Sequence, residues 1–202
     1  ERVETDILVG TQMVSKGLDF PKVGLVGVMN ADLFLHQPDF RASERAFQLL
    51  SHIAGRAGRK EQGRVLIQTY NPFQETLQRI QQGEYTAMMT AQLTERSDFH
   101  YPPYYRLVRI IFRHRELERI NQAGQWFADG LRTGLAGYPV EVLGAEFPPI
   151  SRIRNEYIKH ILLKIAPKVP LPVVKDYIIR LEQSFYSTAL FRPVILSYNV
   201  DP

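Results

Sequence analysis

The chain has 202 residues, 45% hydrophobic and 23% charged, ordinary proportions for one large globular domain or two small ones. It contains no cysteine, which excludes disulfides and thiolate metal sites within it, and its five histidines are scattered without ligand spacing, so no metal site is expected here. No apolar run approaches the roughly 18 residues of a membrane span, and the polar start is no secretory signal, so a soluble cytoplasmic protein without a membrane partner is expected. The net charge of +4 is uneven: residues 1–101 carry 11 Lys+Arg against 12 Asp+Glu, and residues 102–202 carry 14 against 9. A basic second half suits nucleic acid.

The chain begins at Glu1, directly before an apolar run, and reads as a piece of something longer. Residues 7–10 are expected to form a buried strand, feeding a polar loop over residues 11–21. Ligand contacts in α/β sheets sit at such strand ends. In that loop Thr11, Gln12 and Lys16 offer donors to phosphate, Asp19 an acceptor and Gly17 a turn. A second buried strand is expected over residues 23–29, then a loop broken by Pro38, then a helix opened by Ser43 and Glu44. On that helix Gln48, His52, Arg56 and Arg59 follow one face at helical spacing, while Leu49, Leu50 and Ile53 lie on the other. Gly55 and Gly58 remove bulk beside the arginines, so a guanidinium can meet a polyanion without a clash. With a third strand over residues 64–70, the pattern is a parallel α/β layer too small for a complete doubly wound domain.

A helix over residues 75–82 ends at Gly83, and another over residues 84–96 carries Tyr85, Met88, Met89 and Leu93 as a packing stripe. Pro102 and Pro103 follow it and neither can continue a helix. This places the domain boundary between residues 1–97 and 98–202. Beyond it, residues 106–113 alternate, with Val108, Ile110 and Phe112 on one face and Arg109 and Arg113 on the other. An amphipathic helix with Ile120, Phe127 and Leu131 follows, then strands over residues 139–143 and 157–165, a helix opened by Pro170 and Pro172, and a strand over residues 193–200. The order β-α-β-β-α-β predicts a ferredoxin-like fold. Between its second and third strands, Arg152, Arg154, Tyr157 and Lys159 gather cations and an aromatic ring. That combination can grip a phosphate backbone and stack on a base.

Together these features resemble the C-terminal part of the primosomal protein N′ (PriA) family of superfamily-two helicases. Residues 10–21 are similar to helicase motif V, residues 48–59 to motif VI, and residues 38–45, 101–104 and 150–164 to other stretches of the family. The resemblance implies an α/β and α+β chain: part of a RecA-like helicase lobe followed by a ferredoxin-like DNA-binding domain. It implies an ATP-driven 3′ to 5′ DNA helicase that reloads the replication machinery at stalled or recombined forks, in the nucleoid. Arg56 and Arg59 would then reach ATP phosphates as catalytic arginines, with Gly17, Asp19, Gln48 and His52 lining the nucleotide. Thr11, Gln12, Lys16, Arg152, Arg154, Tyr157 and Lys159 would contact DNA. Relatives often carry glutamine where His52 stands; an imidazole also donates a hydrogen bond, but its charge depends on pH.

ATP hydrolysis needs a phosphate loop and an acidic Mg²⁺ motif, and the sequence contains neither. The segment alone is therefore expected to be inactive, with ATP and Mg²⁺ handled by the full-length parent and zinc held in that parent's cysteine-rich module. The implied partners are forked and single-stranded DNA, the single-stranded-DNA-binding protein and the primosome proteins that load the replicative helicase. A non-catalytic nucleic-acid-binding module is the alternative, predicting salt-sensitive binding and no ATP linkage. Another superfamily-two motor fits less well with the proline-rich boundary and the C-terminal domain.

Overall fold

The computed structural model describes residues 6–11, 23–55, 57 and 63–202. They form two units, Glu1–Thr94 and Glu95–Pro202, each with its own core.

In the first unit β1 (Leu25–Val28) pairs in parallel with β2 (Arg64–Ile67), in the register Leu25 to Arg64 and Val28 to Ile67. Between them run α1 (Asp32–Leu35) and α2 (Ala42–Ala54), and after β2 come α3 (Glu75–Gln82) and α4 (Tyr85–Asp98), whose last four residues belong to the second unit. Val28, Ala31, Leu35, Ala46, Leu50 and Leu77 form the core, with Ile53 and Ile67 packed against it. The small parallel sheet with helices agrees with the expected class, but its strands are buried on one side only: Val28 is in the core while Leu25 and Leu66 are exposed. Residues 7–10 form no strand, and Ile7, Leu8 and Val9 face solvent. A strand needs a partner for its backbone groups, and these residues have none among those described.

The start of α2 is fixed by a residue outside it. Arg41 stands at the cap position without a side-chain cap bond, while Asp39 Oδ1 accepts the Arg41 N–H at 2.9 Å and Asp39 Oδ2 accepts from Arg45 at 2.7 Å. One carboxylate thus closes the turn and ties down the first helical turn. Asp32 does similar work after β2, accepting from the Thr69 hydroxyl at 2.9 Å and the Tyr70 N–H at 3.0 Å. Desolvation works against its charge, but these hydrogen bonds outweigh it and hold its pKa below the usual carboxylate value.

In the second unit the order is β3 (Arg106–His114), α5 (Leu117–Gly134), β4 (Val140–Glu146), β5 (Arg152–Ile153), β6 (Glu156–Ile165), α6 (Leu171–Ser187) and β7 (Ile195–Val200). The sheet runs β4-β6-β3-β7 with every neighbour antiparallel, and β5 folds back on β6. This is the strand order of a ferredoxin-like split βαβ sheet, as the alternation predicts. One face carries Ile110, Phe112, Ile161, Leu163 and Ile165 into a core closed by Phe127, Leu131, Ile178 and Phe185 of the two long helices. Phe112, Phe127 and Phe185 meet edge to face, with ring centroids 5.5 to 6.3 Å apart. The opposite face carries Leu107, Arg109, Ile111, Arg113, Ile158, His160, Leu162 and Lys164, by the period of two.

Gly144 in β4 has φ of 96°, a region that disfavours any side chain, and a Cβ there would lie 2.5 Å from the His160 carbonyl oxygen. The register between β4 and β6 shifts at this point, so the glycine permits the irregularity.

Candidate functional site

The helical face predicted in the first unit is partly visible. Gln48 and His52 stand exposed one turn apart on α2, and Gln48 donates to Glu44 at 3.3 Å. They border an open cleft of ≈ 540 Å³ lined by Phe34, Gln37, Arg45, Ala46, Gln48, Leu49 and His52. Leu50 is buried on the far side, as the spacing predicts, whereas Leu49 is half-buried and lines the cleft. Arg56 and Arg59, and with them Gln12, Lys16, Gly17 and Asp19, lie outside the described residues. Thr11 is exposed. Sequence reasoning missed Arg45, which lies on the face of Gln48 and His52 and is steadied by Asp39. Its spacing of three residues before Gln48 was the available signal.

The predicted cluster of the second unit comes together on one hairpin. Arg152 pairs with Tyr157 and Ile153 with Glu156, leaving Arg154 and Asn155 as a two-residue loop. Both loop residues have positive φ, 49° and 66°, the signature of a type I′ turn whose twist suits a hairpin. Asparagine tolerates that region, while an arginine there carries a backbone cost. Arg152 lies with its guanidinium carbon 4.8 Å from the centre of the Tyr157 ring, and also donates to the Asn155 side chain.

Two residues further along β6, on the same face as Tyr157, Lys159 holds its ammonium 4.7 Å from the centre of the Phe147 ring. The Lys159 stem runs beside Gly124 of α5, and its partial burial pushes its pKa below the usual lysine value. The hairpin face is therefore built of two cation-and-ring pairs in a row, Arg152 with Tyr157 and Lys159 with Phe147. Each such pair at an exposed site is worth about 0.5–1 kcal/mol, enough to orient the cation. Phe147 and Asn155 were missed from the sequence. Asn155 carried a signal, since asparagine marks left-handed turn positions; Phe147 carried none, because only the fold brings it to Lys159.

On the opposite sheet face His160 lies level with Ile111 of β3. Its burial, and then the charge of Arg109, push its pKa below the ordinary value. At the far end of β6, Lys164 is buried and donates to the Phe99 carbonyl at 2.6 Å, with its ammonium 4.0 Å from the centre of the Tyr101 ring. His100 stacks on Tyr105, with centroids 4.2 Å apart, and pairs with Glu141 of β4. The approach segment of the unit is thus fastened over that end of the sheet. Burial lowers the Lys164 pKa and Glu141 opposes the shift. Among the described residues no three His, Cys, Asp or Glu side chains converge as metal ligands, and no helix is long and apolar enough to cross a membrane.

The family model of the primosomal protein N C-terminal domain matches residues 97–202. The chain belongs to the PriA family. It is 40% identical over 169 residues to the replication restart protein PriA of Bacillus subtilis, covering 83% of this chain and 21% of that relative. The PriA of Treponema pallidum is 38% identical over 167 residues, covering 82% of this chain and 25% of its own length. The PriA of Synechocystis is 37% identical over 208 residues, spanning 100% of this chain and 23% of the relative. The chain therefore spans between a fifth and a quarter of the length of these PriA relatives.

Proposed function

We propose that this chain serves replication restart as the closing portion of a DNA-dependent ATP motor joined to a C-terminal DNA-binding domain. The observation that carries the reading is the row of cation-and-ring pairs on the β5–β6 hairpin, inside the part of the chain that matches the PriA C-terminal domain. Arg152, Arg154 and Lys159 neutralise backbone phosphates there, and Tyr157 offers a ring on which a base can stack. The relatives' printed name, replication restart protein, supports the process.

In the first unit the motor role falls to the face of α2. Gln48 and His52 border the nucleotide, and Arg56 and Arg59 reach its phosphates. A guanidinium at that place offsets charge developing on the transferred phosphoryl group, an effect worth orders of magnitude in rate. Gly17 and Asp19 belong to the same nucleotide site, and Thr11, Gln12 and Lys16 couple a tracking strand to it. The phosphate loop, the Mg²⁺ ligands and a zinc module belong to a full-length protein. That protein unwinds DNA 3′ to 5′ at branched forks in the cytoplasm and meets the single-stranded-DNA-binding protein and the proteins that load the replicative helicase.

The test is DNA-stimulated ATP hydrolysis by the full-length protein carrying this segment, wild type against Arg59→Ala, with fork binding recorded in the same samples. Hydrolysis should fall by about two to three orders of magnitude, with fork affinity retained. A full-length protein that shows no DNA-stimulated hydrolysis overturns the motor reading and leaves a binding module.

A further inference from the structure

The tip of the β5–β6 hairpin holds a feature that phosphate binding does not use. Ile153 is 50% exposed and Ile150 is 67% exposed, both within four residues of Arg154. Ile153 occupies a strand position next to the turn, on the sheet face opposite Arg152 and Tyr157, since successive strand residues point to opposite faces. The blade is therefore two-sided at its end: Arg152 and Tyr157 on one side, Ile153 beside Glu156 on the other.

It is also stiff. The turn is two residues long, and β6 continues into the centre of the sheet, where β3 and β4 flank it. Isoleucine has no donor for a phosphate and no donor or acceptor for a base edge. A rigid apolar side chain between arginines matches the way proteins part stacked bases: the cations hold the backbone while the wedge replaces a neighbouring base in the stack.

We propose that Ile153 is a wedge that stacks against the last base pair of a duplex arm where a DNA branch opens, while Arg152 and Arg154 hold the flanking phosphates. The inference rests on the hairpin being a DNA interface and adds which DNA feature it recognises: an exposed duplex end beside single strands.

The test uses the full-length protein carrying this segment, without nucleotide, and a model fork with 2-aminopurine in the base pair next to the branch, whose fluorescence rises on unstacking. A linear duplex with the probe at an internal pair is the control. Wild type should raise the fork signal by roughly threefold and leave the linear duplex unchanged, because only the branch offers a cheaply opened pair. Ile153→Leu should keep the rise. Ile153→Ser, with its fold checked by an unchanged unfolding midpoint, should abolish most of it while fork affinity changes by less than about threefold, since phosphate contacts dominate affinity. The double variant Arg152→Ala with Arg154→Ala should lose about tenfold in affinity and flatten the salt dependence. A rise that survives Ile153→Ser, or no rise with wild type, overturns the wedge and leaves the interface standing. Unchanged affinity and salt dependence in the double arginine variant overturn the interface itself, and the wedge with it.

Discussion

Arg154 occupies a backbone region that favours glycine or asparagine, at φ of 49°, and points a cation from the end of a hairpin. A residue chosen for stability would differ. Arg154→Asn should therefore stabilise the second unit by roughly 0.5–1 kcal/mol, read as a raised unfolding midpoint, and at the same time weaken DNA binding. Opposite signs for stability and binding distinguish a residue retained for contact from one retained for the turn; a loss of both would place Arg154 in the fold. The neighbouring Asn155 also has a positive φ, without the same cost, and its side chain accepts from Arg152. One loop residue thus makes the turn and the other uses it.

At the scale of elements, the second unit depends on how its approach segment is fastened. Lys164 projects from the open face of β6 and is buried under Phe99, which supplies a carbonyl, and Tyr101, which supplies a ring face. Lys164→Ala should cost about 2–3 kcal/mol through lost packing of the long stem and loss of its hydrogen bond, and should raise amide hydrogen exchange first over residues 99–105. Uniform exchange across the unit would mean that the segment is held by other contacts.

The contrast between the two units also explains what could be read in advance. The elements of the second unit were legible because its strands alternate and its helices carry stripes, and Ile110, Phe112, Ile161 and Leu163 occupy the faces that this periodicity assigns. Its short β5 escaped because two residues have no period. In the first unit an apolar run such as residues 7–10 looks like a buried strand, yet burial depends on neighbours that a local pattern does not contain. The candidate site follows the same rule. Arg152, Arg154, Tyr157 and Lys159 are close in sequence and were found together, whereas Phe147 reaches Lys159 only through the turn of the chain.

Taken whole, the molecule has two cores of unequal size. Among the described residues, the second core holds 19 buried side chains and the first holds six. Apolar burial supplies most of the stability, so calorimetry should resolve two transitions with the second unit melting at the higher temperature. Leu131→Ala, in the larger core, should cost about 2–5 kcal/mol and lower only the upper transition. A single transition shifted as a whole would show that the cores unfold together.

The position of β6 gives this architecture a mechanical property. Its ten residues span about 33 Å, from the hairpin proposed to bind DNA to the lysine that fastens the approach segment. A pull on the tip along the strand would load its hydrogen bonds to β3 and β4 side by side rather than peel them one after another. Tension from a bound strand would therefore be borne by the ladder as a whole, and the hairpin could hold DNA under load without unravelling the sheet that carries it.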